Sequence, residues 1–464
     1  MMVIGLSGCL LGLSVSFAPT SNTPAGPARA GAASSNALPN IFLVVVDAVR
    51  ADHVSSYGYE RATTPNLDAL VANRGVLFQN ATAPSAWTLP SNAALLTGCS
   101  PFKMGVAWSD PQSVVPAQEM MLAEYLRDAG YYAAGFVSAH YVRNSLGFGQ
   151  GFDIYDEQIG DAENSTRADQ VNIMATNWLS NSWAPISGTK PLFLFLYYFD
   201  PHTWYNPPPP YDTLYDPTYT GTLTASVYQD GESVVSGAIV PTERDAQHLK
   251  ALYDGEVTYW DVYLGEMLAY LEALHLLDNS VIIVTSDHGE MFGEHGKWTH
   301  RNSLYEQVLR VPLVIRATGI VSAGLVVSSP VQITDIVPTL LDWLGQSIPP
   351  NLQGVSLKLL AQGQPATGAR DIMCEMDAIT DPDVPGYWLA PRHELRSIRR
   401  GDWKYIHYMG QEGADELYRL QYPWHYETDN LLSAEPQIAA SLFQTLADWF
   451  HIPSRLVYLP AVMR

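Results

Sequence analysis

Five short stretches of this chain carry side chains able to do chemistry, and three of them follow strand-like runs. A fourth is Pro84-Ser85-Ala86-Trp87-Thr88-Leu89-Pro90-Ser91-Asn92-Ala93-Ala94-Leu95-Leu96-Thr97-Gly98. Pro90 suits the first turn of a helix, Ala93 to Leu96 reads as its buried body, and Gly98 stops it. Thr88 therefore falls just before a helix start, where free N–H groups and the helix dipole favour an anion. Its hydroxyl is either an N-cap or a reactive group. Asp47 ends the β-branched run Asn40 to Val46, and is either a ligand-binding carboxylate or the cap of the next turn. His202, in Asp200-Pro201-His202, follows the apolar run Pro191 to Phe199, and is either structural or functional. Asp287 and His288 end the run Ser280 to Thr285. An adjacent carboxylate and imidazole can turn onto one metal ion if the backbone bends, which Gly289 permits. Mixed oxygen and nitrogen donors suit Zn²⁺ or Mn²⁺ better than Ca²⁺, although Ca²⁺ stays open. His295, Lys297 and His300 follow closely.

The elements that must position these residues alternate. Expected strands are 40–46, 76–79, 132–138, 191–199, 280–285, 311–316 and 330–334. Expected helices are 65–73, 117–129, 166–183, 243–275 and 338–344. This is an α/β pattern with a mostly parallel central sheet flanked by helices. From about Arg370 the texture changes to short strands at 372–376, 394–399 and 403–408 around an Arg400-Gly401-Asp402 turn, then a terminal helix from Pro436 to Phe450. That predicts a smaller C-terminal antiparallel-sheet part. The predicted organisation is a signal over 1–18, a flexible linker over 19–39, a main domain over 40–369 and a subdomain over 370–464. Residues 205–217 read as a loop over the pocket mouth, and 218–240 as a polar insertion.

Composition bounds the partners. With 47 acidic against 25 basic residues and a net charge of −22, the chain lacks the basic excess that nucleic acid or an anionic membrane demands. The apolar run from Val3 to Phe17 predicts an exported protein, periplasmic or extracellular, and Leu6-Ser7-Gly8-Cys9 offers a lipid anchor at Cys9 as an alternative. Three cysteines make no disulfide framework, and whether Cys99 and Cys374 pair is open.

The stretch from Thr88 to Gly98 resembles the sulfatase signature, Cys/Ser-x-Pro-Ser-Arg-x-x-Leu-Leu-Thr-Gly. The resemblance extends through Val44-Val45-Val46-Asp47, Asp200-Pro201-His202, Ser286-Asp287-His288-Gly289-Glu290, Arg310-Val311-Pro312-Leu313 and Arg400-Gly401-Asp402-Trp403-Lys404-Tyr405. It covers roughly residues 40 to 435 in the family's order. It implies a sulfatase-like member of the alkaline phosphatase superfamily, with Asp47, Thr88, Asp287 and His288 around a divalent metal ion. It implies His202 at the substrate oxyanion or a second metal, and His300 near the leaving group, with Lys297 as the alternative base. Ala48 stands where the family often has a second Asp.

Two positions depart from the signature. Thr88 replaces the Cys or Ser that true sulfatases oxidise to formylglycine, and Asn92 replaces the accompanying Arg. Both changes point toward Thr88 as a direct nucleophile on phosphorus, giving a phosphothreonine intermediate, with Asn92, His202 and Lys297 as substrate-binding groups. The expected substrate is a small anionic ester, glycan- or lipid-derived, most simply a phosphodiester or phosphonate ester. The alternatives are sulfate-ester hydrolysis without formylglycine, a phosphoglycol or phosphoethanolamine transferase, and a non-catalytic anion- or glycan-binding protein.

Overall fold

The computed structural model describes residues 38–453, apart from 71, 107–112, 158–165, 185, 225–231, 366–367, 369, 379–393, 412 and 422–425. The signal segment, Cys9 and nearly all of the linker lie outside the described residues.

Eight strands form the main sheet: β1 (Asn40–Val46), β2 (Val76–Phe78), β3 (Tyr132–Val137), β4 (Ile154–Glu157), β5 (Leu192–Tyr198), β6 (Ser280–Ser286), β7 (Leu313–Ala317) and β8 (Leu325–Val327). Their spatial order is β8-β2-β7-β6-β1-β5-β3-β4. All run parallel except β7, which is antiparallel to both β6 and β2. β1 lies between β5 and β6, pairing Val46 with Tyr198 on one side and Ser286 on the other. A strand so placed is covered on both faces, which explains its unbroken apolar sequence.

Successive side chains of β1 point to opposite faces. Ile41, Leu43 and Val45 pack with α2 (Thr88–Thr97) and α3 (Leu122–Asp128), whereas Phe42, Val44 and Val46 pack with α1 (Pro65–Leu70), α4 (Ala168–Trp178) and α5 (Glu243–Ala273). All ten residues of α2 are buried, so its hold comes from burial on every side, with Leu95 and Leu96 worth about 1.5–3 kcal/mol each. Gly98 closes it at φ 73°.

Two helices begin later than the sequence pattern predicts. α3 starts at Leu122 rather than Ala117, because the Glu124 carboxylate accepts from the Met121 amide 2.9 Å away and fixes the start there. α4 starts at Ala168 rather than Thr166, where Asp200 Oδ2 accepts from the Ala168 amide at 2.8 Å. Its last turn widens into a π-turn over Leu179–Trp183.

The C-terminal sheet comprises β9 (Asp371–Met376), β10 (Leu395–Arg400), β11 (Trp403–Tyr408) and β12 (Glu416–Arg419), each antiparallel to the next. Ile398, Tyr405 and Leu417 pack under α6 (Pro436–Phe450), whereas Ile372, Cys374 and Ile406 join the core of the main sheet. The Glu375 amide donates to Pro84 O at 2.9 Å, which ties this sheet directly to the Thr88 stretch. A buried ion cluster adds a second tie: Lys404 Nζ lies 2.7 Å from Glu306 and 2.8 Å from Glu427. Cys99 and Cys374 are both free, buried thiols. Among the described residues no helix is long and apolar enough to cross a membrane.

Candidate metal and ester site

Asp47 and Asp287 leave the C-terminal ends of the adjacent parallel strands β1 and β6, where a parallel sheet opens its ligand crevice. α2 begins at Thr88 itself, earlier than the sequence suggests, because Trp87 takes the cap position. The Thr88 hydroxyl is not a helix cap. Oγ1 lies 3.2 Å from His288 Nε2. His288 Nδ1 donates to Gly289 O at 3.0 Å, which fixes the tautomer and leaves the Nε2 lone pair facing Thr88, Asp47 Oδ1 (3.4 Å) and Asp287 Oδ2 (3.7 Å).

The two carboxylates differ in their surroundings. Asp287 is held by four donors: the Ala48 and His288 amides on Oδ1, and Asn92 Nδ2 and the Tyr197 hydroxyl on Oδ2, the last two at 2.8 Å. Asp47 is buried and neither of its oxygens accepts a hydrogen bond. This rules out the turn-cap reading and leaves a bare acid beside a second acid. Burial and the Asp287 charge hold the Asp47 carboxyl well above the usual carboxylate range.

One oxygen or ring nitrogen from each of Asp47, Asp287 and His288 falls within 4.8 Å of the other two. Among the described residues no other group of three His, Cys, Asp or Glu ligand atoms comes this close. An orphaned buried carboxylate, a second carboxylate and an inward-facing imidazole lone pair fit a divalent cation, with Thr88 Oγ1 beside them. The backbone bend that assembles them is not at Gly289. It is at Ala48, which adopts φ 59° and turns its amide onto Asp287. Gly289 is needed for space, since a Cβ there would stand 2.1 Å from Gln307 O.

His300 lies next to this cluster, its ring stacked on His288 at 4.3 Å. His300 Nδ1 donates to Glu290 Oε1 at 3.1 Å, and Nε2 accepts from Arg301 Nε at 3.2 Å. Burial, His288 and Arg301 together hold His300 well below the usual imidazole range. His202 meets His300 edge-on at 4.8 Å, and its Nδ1 donates to Thr203 O at 2.8 Å. Burial, with His300 and Arg301 nearby, keeps His202 neutral too.

Thus the fold gathers Asp47, Thr88, Asn92, Asp287 and His288 around one point and sets His202 and His300 beside it. Lys297 sits elsewhere in its contacts, its charge facing Glu416 of β12, and burial lowers it from the usual lysine range. His295 stacks on Tyr305 at 3.8 Å. Three participants escaped the sequence reading. Glu290 was visible inside a quoted motif, Arg301 was adjacent to His300, and Tyr197 was hidden in an apolar strand run. Asn92 has a role beyond the one expected: it joins Thr88 O to Asp287 Oδ2, both at 2.8 Å.

The chain matches the sulfatase family model over residues 39–346, and the model for the C-terminal part of N-sulphoglucosamine sulphohydrolase over residues 293–449. It belongs to the sulfatase family and is an ester hydrolase of that family. It is 26% identical to N-acetylglucosamine-6-O-sulfatase of Bacteroides thetaiotaomicron, over 82% of this chain and 81% of the relative. It is 28% identical to an arylsulfatase of Clostridium perfringens, over 71% of this chain and 79% of the relative. In fold it is similar to a solved structure bound to its substrate D-glucosamine-2-N,6-O-disulfate, with a TM-score of 0.74, 23% identity and coverage of 90% and 99% of the two chains. It is also similar to the phosphonate monoester hydrolase of Silicibacter pomeroyi, with a TM-score of 0.71, 22% identity and coverage of 90% and 96%.

Proposed function

We propose that this hydrolase cleaves a phosphodiester or phosphonate ester, with Thr88 Oγ1 as the nucleophile. The observation that carries the reading is the Thr88 hydroxyl itself. It points at the His288 Nε2 lone pair inside the acid cluster, rather than capping its helix. A divalent cation held by Asp47, Asp287 and His288 supplies Lewis-acid polarisation of an ester oxygen and eases deprotonation of a neighbouring hydroxyl; Zn²⁺ or Mn²⁺ suits the donor set best.

The chain's own groups divide the remaining work. The first turn of α2 directs its dipole at the reacting centre. Asn92 and Tyr197 lock Asp287, so the carboxylate does not swing toward the nucleophile. His300 is held at Nδ1 by the Glu290 carboxylate and at Nε2 by Arg301 Nε, so the neutral ring would serve the leaving oxygen as a proton carrier only once Arg301 Nε releases Nε2, with Glu290 then stabilising the imidazolium. His202, edge-on to His300 at 4.8 Å, borders the same space. Attack by Thr88 would form an O–P bond and break the bond from phosphorus to the leaving oxygen, the hydroxyl proton passing to solvent and the leaving oxyanion taking one up; water then adds to phosphorus, breaks the Thr88 O–P bond and returns the hydroxyl.

The sequence relatives favour a second reading, in which the same centre hydrolyses a sulfate ester without formylglycine, on a sugar such as the N-acetylglucosamine of one relative's name or on an aryl sulfate as in the other's. The protein is proposed to be exported and to meet such esters outside the cytoplasm.

The test is hydrolysis of bis-nitrophenyl phosphate, a phenylphosphonate ester, nitrophenyl phosphate and nitrophenyl sulfate after metal stripping and add-back of Zn²⁺, Mn²⁺ or Ca²⁺. Metal-dependent turnover of the phosphorus diesters above the sulfate is expected, with Thr88→Ala at least about a thousandfold slower and Thr88→Ser within roughly tenfold. Preference for the sulfate ester selects the second reading. A fully active Thr88→Ala refutes Thr88 as the nucleophile under either.

A further inference from the structure

The seam between the main sheet and the C-terminal sheet holds a cavity of about 840 Å³. Asn80 lines it after β2, Ser328 after β8, Asp402 at the turn between β10 and β11, and Arg419 and Gln421 at the end of β12. β2 is antiparallel to β7 and β7 to β6, so β2 runs parallel to β6 and ends at the same edge of the sheet. Val314 of β7 pairs with Leu77 on one side and Val284 on the other, and on that register Asn80 leaves β2 level with Asp287. Two strand spacings separate them, roughly 10 Å.

What marks this cavity is polar groups with nothing to bind. Among the described residues the Arg419 guanidinium has no ion pair and no hydrogen bond; it rests over the Trp403 ring, 5.8 Å from its centre. The Asp402 carboxylate, the Ser328 hydroxyl and the Gln421 side-chain amide make no hydrogen bond there either. Asn80 is only 6% exposed; its Nδ2 donates to Ser328 O at 2.6 Å, and its buried Oδ1 has no partner. The cleft of about 550 Å³ beside Arg50 differs in this respect. There Arg50 lies 2.7 Å from Asp52 and 3.0 Å from Glu294, Lys250 lies 3.4 Å from Glu294, and the Tyr426 hydroxyl donates to Asp52 at 2.7 Å. Those groups satisfy one another and ask for no ligand.

The lining of the larger cavity names the chemistry. Leu420 is its single apolar side chain, too little for a lipid or an aromatic ligand. One guanidinium is set against one carboxylate, so the cavity offers no net charge to an anion. Amides, a hydroxyl, a carboxylate and a guanidinium supply donors and acceptors together, which is what neighbouring sugar hydroxyls require, since each both donates and accepts.

We propose that this cavity is a second, non-catalytic sugar-binding site, in which Asp402 and Arg419 take the hydroxyls of a glycan unit. It shares no residue with the Thr88 centre, so it goes beyond the proposed function and holds for a phosphorus or a sulfate ester alike.

The test is calorimetric titration of the metal-loaded protein with maltotetraose, cellotetraose, mannotetraose, chitotetraose and a sulfated heparin tetrasaccharide, comparing wild type with Arg419→Ala and Asp402→Ala. Both side chains are exposed, so the variants should keep the wild-type melting temperature. At least one neutral tetrasaccharide should bind, with each variant weaker by about tenfold or more. Both variants should keep kcat and KM on bis-nitrophenyl phosphate and nitrophenyl sulfate within about twofold of wild type. A wild type that binds none of these probes, or binding that either variant retains in full, would overturn the inference. Binding confined to the sulfated probe, weakened by Arg419→Ala and strengthened by Asp402→Ala, would overturn it too, by marking an anion site. A wild type that hydrolyses neither ester yet binds a neutral tetrasaccharide through Asp402 and Arg419 would uphold it and sink the proposed function instead.

Discussion

Replacing Asp47 by Asn should stabilise the metal-free protein and abolish its response to metal. In the apo protein Asp47 is a buried acid with no hydrogen-bond donor, and one of its oxygens lies within 4.8 Å of an Asp287 oxygen. Two unit charges about 4.8 Å apart at an effective dielectric of about 20 repel by roughly 3.5 kcal/mol. Protonation caps the cost: keeping a carboxyl neutral at pH 7, against an ordinary value near 3.9, takes at most about 4 kcal/mol. Both routes put the apo penalty at about 3–4 kcal/mol, and an uncharged Asn of the same shape removes most of it. For roughly 400 ordered residues, at about 2.1 cal/mol/K each, 1 kcal/mol moves the melting temperature by about 1 °C, so Asp47→Asn should melt about 3 °C higher than wild type without metal. Metal at a hundred times its Kd should stabilise the wild type by about 2.7 kcal/mol and the variant by almost nothing. Calorimetric melting of both proteins at pH 7, with chelator and with Zn²⁺ or Mn²⁺, reads all four values. A lower apo melting temperature for Asp47→Asn, or an undiminished metal response, would refute the assignment of Asp47 as an uncompensated ligand.

Three further outcomes follow from the same geometry. The apo wild type should lose stability as pH rises from about 4, because an acid held above its ordinary pKa binds more protons folded than unfolded; pH-dependent melts with chelator check the sign, and added metal should matter most at the alkaline end. Gly289→Ala should lose several kcal/mol and weaken metal binding, since its Cβ would press on Gln307 O and displace the adjacent His288; denaturant unfolding with a metal titration measures both. Lys404→Met should cost about 3–5 kcal/mol by leaving Glu427 buried without its cation while Glu306 keeps Arg399 at 3.4 Å; the loss should ease as pH falls, since Glu427, already pushed up to about 7 beside Lys404, takes up a proton more readily without it.

The sequence disclosed those parts of the site whose signal is local. Asn40–Val46 and Ser280–Ser286 announce themselves by unbroken apolar runs that end in an acid, and parallel pairing then places Asp47 and Asp287 side by side. Helix starts were less legible where they depend on a distant acceptor, as Ala168 depends on Asp200. Cys99 and Cys374 left a pairing open that only the fold resolves into two free thiols. The roles of Gly289 and Ala48 were hidden for one shared reason. Each follows from a through-space neighbour, namely Gln307 O and Asp287 respectively, and sequence spacing carries no trace of it.

Asn92 shows what that distinction means for function. Read from the signature, it is a missing cation, and that argues against formylglycine chemistry. In the folded chain it is a clamp, with one amide nitrogen shared between Thr88 O and Asp287 Oδ2. An arginine at that place would set a positive charge beside the Asp287 carboxylate and compete with a metal ion for it. The short neutral amide leaves that carboxylate's charge to a cation bound there. The two departures at 88 and 92 are therefore coupled. In the proposed reaction a plain hydroxyl nucleophile would depend on the ion for its reactivity, and Asn92 would keep that ion's charge undiluted.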